Sequence, residues 1–215
     1  MHQCPACKRS VVRFYTYGIK NWGCPHCNAS PRERFVNLCL ETDLLTLRKG
    51  VRILHMAPKE TSLISLFSAR CTVVFGDLFP NQYPNATVIR VDLMDMSALD
   101  RFDIFYASHV MEHVPDDRQV FSNVYDRLVP GGEAWIMVPL HDAPTIDGTP
   151  DMTAKERERQ FGQWDHVRQY GSDIADRMRD AGFETSIIDI ECFSPSDIAC
   201  YGLSSNDKIF VGRRC

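Results

Sequence analysis

The stretch VRILHMAPKE, from Val51 to Glu60, decides the fold class of the chain. Its apolar run predicts a short buried strand, and Leu63, Leu66 and Phe67 then fall on one face of a predicted helix. A strand-to-helix corner of this kind is where α/β domains bind nucleotide-like cofactors. The corner contains no glycine. Two interpretations therefore stay open: a cofactor site of unusual composition, or only a turn.

Strand and helix patterns alternate from this corner to the end of the chain. The later predicted strands are CTVVFGDLF, ATVIRVDL, FDIFYASHV, EAWIMVPL, ETSIIDIECF and DKIFVGR. The predicted helices between them are ETSLISLFSAR, RQVFSNVYDRLV and SDIADRMRDAGF. Continuous apolar strands separated by amphipathic helices predict an α/β domain with a doubly wound sheet.

Four of the nine cysteines stand out by their spacing. They form two C-x-x-C pairs separated by sixteen residues: Cys4, Cys7, Cys24 and Cys27. Four thiolates at this spacing are typical of a zinc ribbon, and a closed four-thiolate site leaves no position for substrate water. Disulfides are the less favoured alternative. The sequence thus predicts a structural zinc ion.

The segment SPRERFVNLCLETDLL follows the second cysteine pair. Ser30 and Glu33 have the spacing of a capping box, and Pro31 suits the first helical position. We expect Arg32 and Arg34 on this helix to be solvated. The predicted organisation is a zinc ribbon at residues 1–29, a linking helix at 30–49 and the main domain at 50–215.

Charge is distributed unevenly along the 215 residues, which carry a net charge of −4. Residues 1–50 have eight Lys/Arg against three Asp/Glu, a net +5, so the remainder carries −9. The basic region is either a surface for an anionic partner such as RNA or only a solvated face. No apolar run approaches the roughly 20 residues of a membrane span, and the first residues lack a signal-peptide pattern. We expect a soluble, cytoplasmic protein; the sequence does not indicate its oligomeric state.

Candidate cofactor residues follow the ends of the predicted strands, where ligands bind in open α/β sheets. Met56 and Ala57 form the first corner. Asp77 lies twenty residues beyond Ala57, which is the offset typical of a carboxylate that binds a ribose diol. A turn-capping role for Asp77 is the alternative.

The densest polar and aromatic stretch is ERERQFGQWDHVRQYG, which we interpret as a lid on the acceptor side. In it, Asp165 is predicted to orient His166 as a general base, and Arg168 to bind an acidic acceptor group. Tyr170 is a further candidate base, as is His109 at the end of a predicted strand. The alternative is a self-satisfied network that braces the lid.

Several segments together resemble class I S-adenosylmethionine-dependent methyltransferases over about residues 50–215. They are VIRVDLMDMSAL, FDIFYASHVMEHVPDD, LVPGGEAWIMVP and RMRDAGFE. The resemblance implies a seven-stranded Rossmann-like sheet and S-adenosylmethionine as cofactor. That superfamily usually has a glycine-rich loop where HMAPKE stands. Because this cofactor carries no phosphate to cradle, a small glycine-free corner is compatible with binding it.

The resemblance also assigns roles to cofactor-binding residues. Asp77, with Leu78 beside it, would bind the ribose, and Asp92 with Leu93 would bind the adenine. Ser108 and His109 would line the cavity near the methionine end. Asp92 has an alternative role as a cap of the following MDMSAL segment.

The predicted function is methyl transfer from S-adenosylmethionine to an undetermined acceptor, with a small molecule favoured. One alternative is an RNA methyltransferase that holds its substrate through the basic N-terminal region; the acidic main domain argues against it. Another is a non-catalytic zinc-ribbon interaction module on a methyltransferase-like scaffold.

Overall fold

A computed structural model describes residues 1–84 and 87–215, without the side chains of Ile19 and Lys20. Ala86, the first residue of the predicted strand ATVIRVDL, lies outside the described residues. The chain forms two compact units. The first comprises Met1–Val51, Pro58–Val73 and Ile188–Lys208, and the second Arg52–Ala57, Val74–Ile187 and Ile209–Cys215. Each unit joins three segments, so the units cut across the linear division predicted at residues 29 and 49.

Strands and helices are numbered along the chain. The strands are β1 (His2–Gln3), β2 (Ser10–Val11), β3 (Tyr15–Tyr17), β4 (Ile19–Gly23), β5 (Arg52–Met56), β6 (Thr72–Asp77), β7 (Val88–Arg90), β8 (Phe102–Ser108), β9 (Leu128–Met137), β10 (Ile146–Asp147), β11 (Arg168–Gln169), β12 (Glu184–Ile188) and β13 (Ile209–Arg213). The helices are α1 (Pro31–Glu41), α2 (Thr61–Arg70), α3 (Asp117–Arg127), α4 (Ala154–Phe161), α5 (Ile174–Asp180) and α6 (Pro195–Tyr201). Short 3-10 turns occupy Pro80–Gln82, Met111–His113 and Ile190–Cys192.

A seven-stranded sheet organises the second unit, in the order β12-β13-β9-β8-β5-β6-β7. Strand β8 is parallel to β5 and to β9, β6 is parallel to β7, and β13 runs antiparallel to β9. The predicted α/β class and seven-stranded sheet are confirmed. The chain passes from β5 outward to β7 and then returns to the other side of β5 with β8. The carboxyl ends of β5 and β8 therefore flank the point where the strand order reverses, which is where ligands bind in such sheets.

The core of the second unit lies between the sheet and helices α3 and α5. Val120, Phe121 and Val124 on α3 are buried, as are Ile174 and Met178 on α5. This spacing is the helical apolar stripe visible in the sequence. These apolar residues pack the helices against the sheet. The polar groups described below lie at the ends of the strands.

In the first unit, α1 is tied to α2 through a single carboxylate. Ser30 and Glu33 form the predicted capping box at the start of α1. The other Glu33 oxygen, Oε1, accepts from the backbone N–H of Ser62 at 3.1 Å and from its hydroxyl at 2.9 Å. One side chain therefore caps the first helix and satisfies a donor at the start of the second.

Arg34 is fully buried on α1, so the expectation that it is solvated is wrong. Its guanidinium lies 3.9 Å from the centre of the Phe14 ring. It donates to backbone carbonyls that include those of Asn21 (2.6 Å), Ala29 (2.6 Å), Tyr201 (2.8 Å) and Gly202 (2.7 Å). These carbonyls belong to the ribbon and to the end of α6, so one planar fork joins three separate segments of the first unit.

We expect Arg34→Lys to lower the free energy of unfolding by at least about 2 kcal/mol. A lysine has one nitrogen and cannot reach all of these carbonyls, and each buried acceptor left without a donor costs roughly 1–3 kcal/mol. Urea unfolding followed by circular dichroism measures the change. Arg32→Lys, two residues earlier and partly exposed, is the matched control and should stay within about 0.5 kcal/mol of wild type. Equal effects of the two substitutions would contradict this role for Arg34.

Candidate functional site

Two non-glycine residues in left-handed conformations mark the carboxyl ends of β5 and β8. Ala57, after β5, has a φ of 47°, and His109, after β8, has a φ of 54°. Ala57 is held in place by a 2.8 Å hydrogen bond from its N–H to the carbonyl of Gly76. Left-handed backbone at such residues costs about 1 kcal/mol or more and tends to mark functional sites. The turn expected at this glycine-free corner is therefore made with a left-handed alanine, a conformation that the sequence did not predict.

Asp77 lies at the end of β6 and already accepts two hydrogen bonds. Its Oδ1 accepts from the Phe79 N–H at 2.7 Å, and its Oδ2 accepts from the Tyr83 hydroxyl at 2.7 Å. A carboxylate has about four acceptor positions, so two remain for a diol. The predicted ribose role and the turn-capping alternative are therefore compatible with each other.

The packed surface next to Asp77, here called the floor, is formed by Gly76, Val91 and Met56. A Cβ on Gly76 would lie 2.7 Å from a methyl of Val91 and 3.0 Å from the sulfur of Met56. Met56 is buried, whereas Leu78, the residue after Asp77, is exposed. Met56 is thus part of the floor, whereas Leu78 offers apolar surface.

Asp92 and Ser108 are the other polar groups at this edge. Asp92 Oδ1 accepts from the N–H of Met94 at 2.9 Å, as the capping alternative predicts, and the neighbouring Leu93 is buried. Ser108 is buried at the end of β8, and its hydroxyl has no hydrogen-bond partner among the described residues. Because buried hydroxyls are nearly always hydrogen-bonded, we expect a ligand or a water molecule to bind the Ser108 hydroxyl.

A carboxylate with spare acceptor positions, a hydroxyl without a partner and a small corner residue suit a nucleoside with a polar amino-acid end. The arrangement places these groups at adjacent strand ends of one sheet. No phosphate-binding glycine loop is needed for such a molecule. The residues therefore fit S-adenosylmethionine.

Glu112 and three histidines lie beyond the end of β8. The Glu112 side chain is 2% exposed, and His109 Nδ1 lies 3.3 Å from its Oε1. The rings of His113 and His166 meet edge to face, with centroids 4.8 Å apart. Burial lowers the pKa of His166, while the charge of Glu112 opposes that shift.

Asp165 orients a different histidine from the predicted one. Its Oδ2 lies 3.4 Å from Nδ1 of His113. His166 instead donates from Nδ1 to the Phe161 carbonyl, 3.2 Å away. The predicted pairing of Asp165 with His166 is therefore replaced by a pairing of Asp165 with His113.

Arg168 is 3% exposed, and its guanidinium is occupied by protein groups. It donates to the carbonyls of Met111 (2.9 Å), Val114 (2.6 Å) and Pro115 (2.9 Å), and to Asp147 Oδ1 (3.0 Å). This geometry gives Arg168 a structural role in place of the predicted grip on an acceptor.

Tyr170 is fully buried, and its hydroxyl donates to Asp117 at 2.7 Å. Burial, reinforced by the charge of Asp117, raises the pKa of Tyr170 well above its ordinary value. A group so held is unsuited to act as a general base, so for Tyr170 the bracing alternative describes the structure better than the predicted one.

Arg177 completes this network and was not identified from the sequence. It contacts Asp117 at 3.0 Å and Asp147 at 2.6 Å. Burial alone would lower the pKa of Arg177, but the hydrogen bond to Asp147 and the charge of Asp117 raise it. Arg168, Arg177, Asp117 and Asp147 thus form a charge-balanced cluster, here called the arginine–aspartate network.

A cavity of about 470 Å³ opens beside this network, within the second unit. Its lining includes His113, Met152, Arg157, Trp164 and Asp165. The predicted lid therefore contributes one wall, and Trp164 is 63% exposed there. The volume lies within the range of about 300–1,000 Å³ typical of small-molecule sites.

The four predicted zinc ligands come together in the first unit. The sulfurs of Cys4 and Cys27 are 3.7 Å apart, and those of Cys7 and Cys24 are 3.8 Å apart. Tetrahedral zinc with Zn–S bonds of about 2.3 Å requires sulfur separations of about 3.8 Å. Each pair is followed by a left-handed residue, Lys8 (φ 62°) and Asn28 (φ 61°). The cluster therefore fits structural zinc.

Comparison with known proteins agrees with this architecture. A family model described as a methyltransferase domain matches residues 32–186. A search of curated proteins found no match. Within the described part of the chain, no helix is long and apolar enough to cross a bilayer.

Three similar solved structures show the same fold. An S-adenosylmethionine-dependent methyltransferase from Mesorhizobium loti has a TM-score of 0.58 at 16% identity, over 80% of this chain and 95% of that one. Phosphoethanolamine N-methyltransferase 2 from Haemonchus contortus, in complex with S-adenosyl-L-methionine, has a TM-score of 0.53 at 15% identity, over 84% and 52%. The CurJ carbon methyltransferase has a TM-score of 0.51 at 13% identity, over 86% and 53%. The chain thus spans about half the length of the last two.

The arginine–aspartate network predicts a loss of stability in acid. The hydrogen bond from Arg177 is the largest influence that lowers the pKa of Asp147. A lowered folded-state pKa stabilises the protein above the ordinary aspartate pKa of about 3.9, and this contribution is lost as the pH falls through the folded value. We expect Asp147→Asn to lower stability near neutral pH and to flatten its fall below about pH 4.

Urea unfolding at pH values from about 6 down to about 3 measures this difference. Asp142→Asn removes an exposed carboxylate and should leave the acid dependence close to that of wild type. If the Asp147 and Asp142 variants gave the same pH profile, the network would not be the source of the acid sensitivity.

Proposed function

Because the chain belongs to the family of methyltransferase domains, we propose that it transfers the methyl group of S-adenosylmethionine to a small polar molecule bound in the cavity beside Trp164. The observation that carries the proposal is the set of groups at the strand ends where the sheet order reverses. Asp77 and Ser108 are the last residues of β6 and β8, Asp92 comes two residues after β7, and a left-handed residue follows each of β5 and β8.

S-adenosylmethionine is the cofactor of this fold, and it supplies an activated methyl group on a sulfonium. Asp77 would accept hydrogen bonds from the ribose hydroxyls at its remaining acceptor positions, between exposed Leu78 and the floor formed by Met56. Asp92 would accept from the adenine amine, with Leu93 packed beneath it. Ser108 would donate its unpaired hydroxyl to the amino-acid end of the cofactor, and Ala57 keeps the corner small enough for close approach.

The protein's main catalytic task is to orient an acceptor and, for an O–H or N–H group, to remove its proton. We propose that His109, which directly follows β8 and is partly exposed, accepts this proton. Its Nδ1 faces Glu112 at 3.3 Å. A carboxylate in this position orients an imidazole and stabilises its protonated form.

The charge of the cavity indicates the chemistry of the acceptor. Arg157 supplies a cation and Asp165 an anion, while Trp164 and Met152 supply apolar surface. Such a lining favours a compact molecule with both charged and apolar parts over an extended polyanion. The small-molecule acceptor is therefore preferred to RNA.

The cofactor assignment is tested by Asp77→Ala. Losing two hydrogen bonds to a charged acceptor should weaken S-adenosylmethionine binding by about tenfold to a hundredfold or more. Calorimetric titration with S-adenosylmethionine and S-adenosylhomocysteine measures the affinity. Tyr83→Phe is the matched control, because it removes a donor to Asp77 but keeps the carboxylate, and its affinity should stay within about threefold of wild type. Unchanged affinity in Asp77→Ala would show that the ribose lies elsewhere.

The acceptor class is tested with radiolabelled S-adenosylmethionine and a cell extract separated by molecular size. We expect label to enter the low-mass fraction and to fall by at least tenfold with Trp164→Ala, because the cavity loses its aromatic wall. Cofactor affinity of that variant should be unchanged. Label recovered in RNA, insensitive to Trp164→Ala, would favour the nucleic-acid alternative.

A further inference from the structure

We propose that Glu112, His113 and His166 bind one divalent transition-metal ion, distinct from the four-cysteine site. Their ligand atoms, one carboxylate oxygen and two ring nitrogens, lie within 4.8 Å of one another. Two imidazoles and a carboxylate are a ligand set that Zn²⁺ and Fe²⁺ accept in proteins. None of the three residues was predicted as a metal ligand from the sequence.

Glu112 gives the first reason for an ion. Its side chain is almost completely buried, and neither carboxylate oxygen accepts a hydrogen bond from the described residues. The nearest charged partner is His109, whose Nδ1 lies 3.3 Å from Oε1. A buried carboxylate without hydrogen bonds is costly, and native structures relieve that cost by pairing the charge or by metal coordination. A cation between Glu112 and the two other histidines would do so.

The histidines give the second reason, because their outer nitrogens are occupied. His166 Nδ1 lies 3.2 Å from the Phe161 carbonyl, which can only accept, so the neutral ring carries its proton there and has its lone pair on Nε2. His113 Nδ1 faces the Asp165 carboxylate at 3.4 Å. Metal-binding histidines usually donate their other ring N–H to a carbonyl or a carboxylate in this way.

The segments that carry the three ligands are joined independently of any ion. The Val167 N–H donates to the Glu112 carbonyl at 2.8 Å. Arg168, two residues after His166, donates to the carbonyls of Met111 and Val114, on either side of Glu112 and His113. Ligand atoms around an ion with bonds of about 2 Å are roughly 3.3 Å apart. The side chain of His113 is 33% exposed and has room for the adjustment.

Three protein ligands leave at least one coordination position for a non-protein atom. His113 also lines the cavity assigned to the acceptor. An oxygen or nitrogen of the acceptor could therefore coordinate the ion and be oriented by it. This role rests on the proposed function, whereas binding of the ion does not.

The test counts metal ions bound to the full chain. Protein with its four-cysteine site loaded with zinc is dialysed to equilibrium against Co²⁺, and zinc and cobalt per chain are measured by elemental analysis. Glu112→Gln keeps the side-chain shape but removes the charge, and His166→Gln removes one imidazole. Glu158→Gln, which removes an exposed carboxylate on α4, is the matched control.

We expect wild type and Glu158→Gln to bind one Co²⁺ in addition to zinc, and Glu112→Gln and His166→Gln to lose it while retaining zinc. Visible absorption shows where cobalt lies, because a four-thiolate site gives intense charge-transfer bands that a nitrogen–oxygen site lacks. If Glu112→Gln does not fold, the result for His166→Gln tests the metal site by itself. The His166 side chain is partly exposed, so its substitution should disturb folding less.

Absence of the additional cobalt from wild type, or its retention in a folded Glu112→Gln or His166→Gln variant, would overturn the proposal. Neither methyl transfer nor cofactor affinity enters this measurement. A protein that binds the ion but transfers no methyl group would therefore contradict the proposed function alone, and the reverse result would contradict only the metal site.

Discussion

The hydrogen bonds from Arg168 to the Met111, Val114 and Pro115 carbonyls fix the segment that follows β8 in the second unit. Residues 111–115 contain only a short 3-10 turn and cannot satisfy their own backbone acceptors. A buried guanidinium with five donors in a plane supplies what regular secondary structure would otherwise supply. The charge of Arg168 is in turn balanced by Asp147 and Asp117. Arg168 and Asp117 are both buried, and removing one partner of a buried ion pair leaves an uncompensated charge and typically costs about 3–5 kcal/mol.

The same physical device occurs, separately, in the first unit. Arg34 holds the ribbon and the end of α6 through carbonyls that no helix or strand would pair. Burial lowers the pKa of Arg34, and negative charge on Cys4 and Cys24 opposes that shift. A zinc ion with four thiolates carries a formal net charge of −2, so a buried arginine beside the ribbon offsets part of it. In each unit, a buried arginine therefore donates to backbone carbonyls from separate chain segments.

Most of the fold follows from local patterns, and most of the errors concern buried charge. The apolar runs of β5, β8 and β9 and the stripe on α3 are periodic, so the sequence identifies them directly. The spacing of Cys4, Cys7, Cys24 and Cys27 similarly specifies one tetrahedral arrangement. Nothing in the neighbouring residues distinguishes an arginine that donates to buried carbonyls from one on a solvated helix face. The roles of Arg34 and Arg168 depend on which distant segments arrive beside them, and a single sequence does not encode that in a local pattern.

The strand-end corner shows why the absence of glycine does not decide cofactor binding. Glycine loops serve phosphates because a backbone N–H must come close to an anion and the chain must turn left-handed. The turn and the close approach are separate requirements. Ala57 satisfies the turn, at a φ of 47°, with its N–H directed to the Gly76 carbonyl and not toward a ligand. Such a corner turns sharply, but its backbone N–H is not free to donate to a phosphate. In the proposed function, selectivity for a nucleoside without phosphates would rest on side chains at the neighbouring strand ends, the carboxylates of Asp77 and Asp92 and the hydroxyl of Ser108, instead of on the loop.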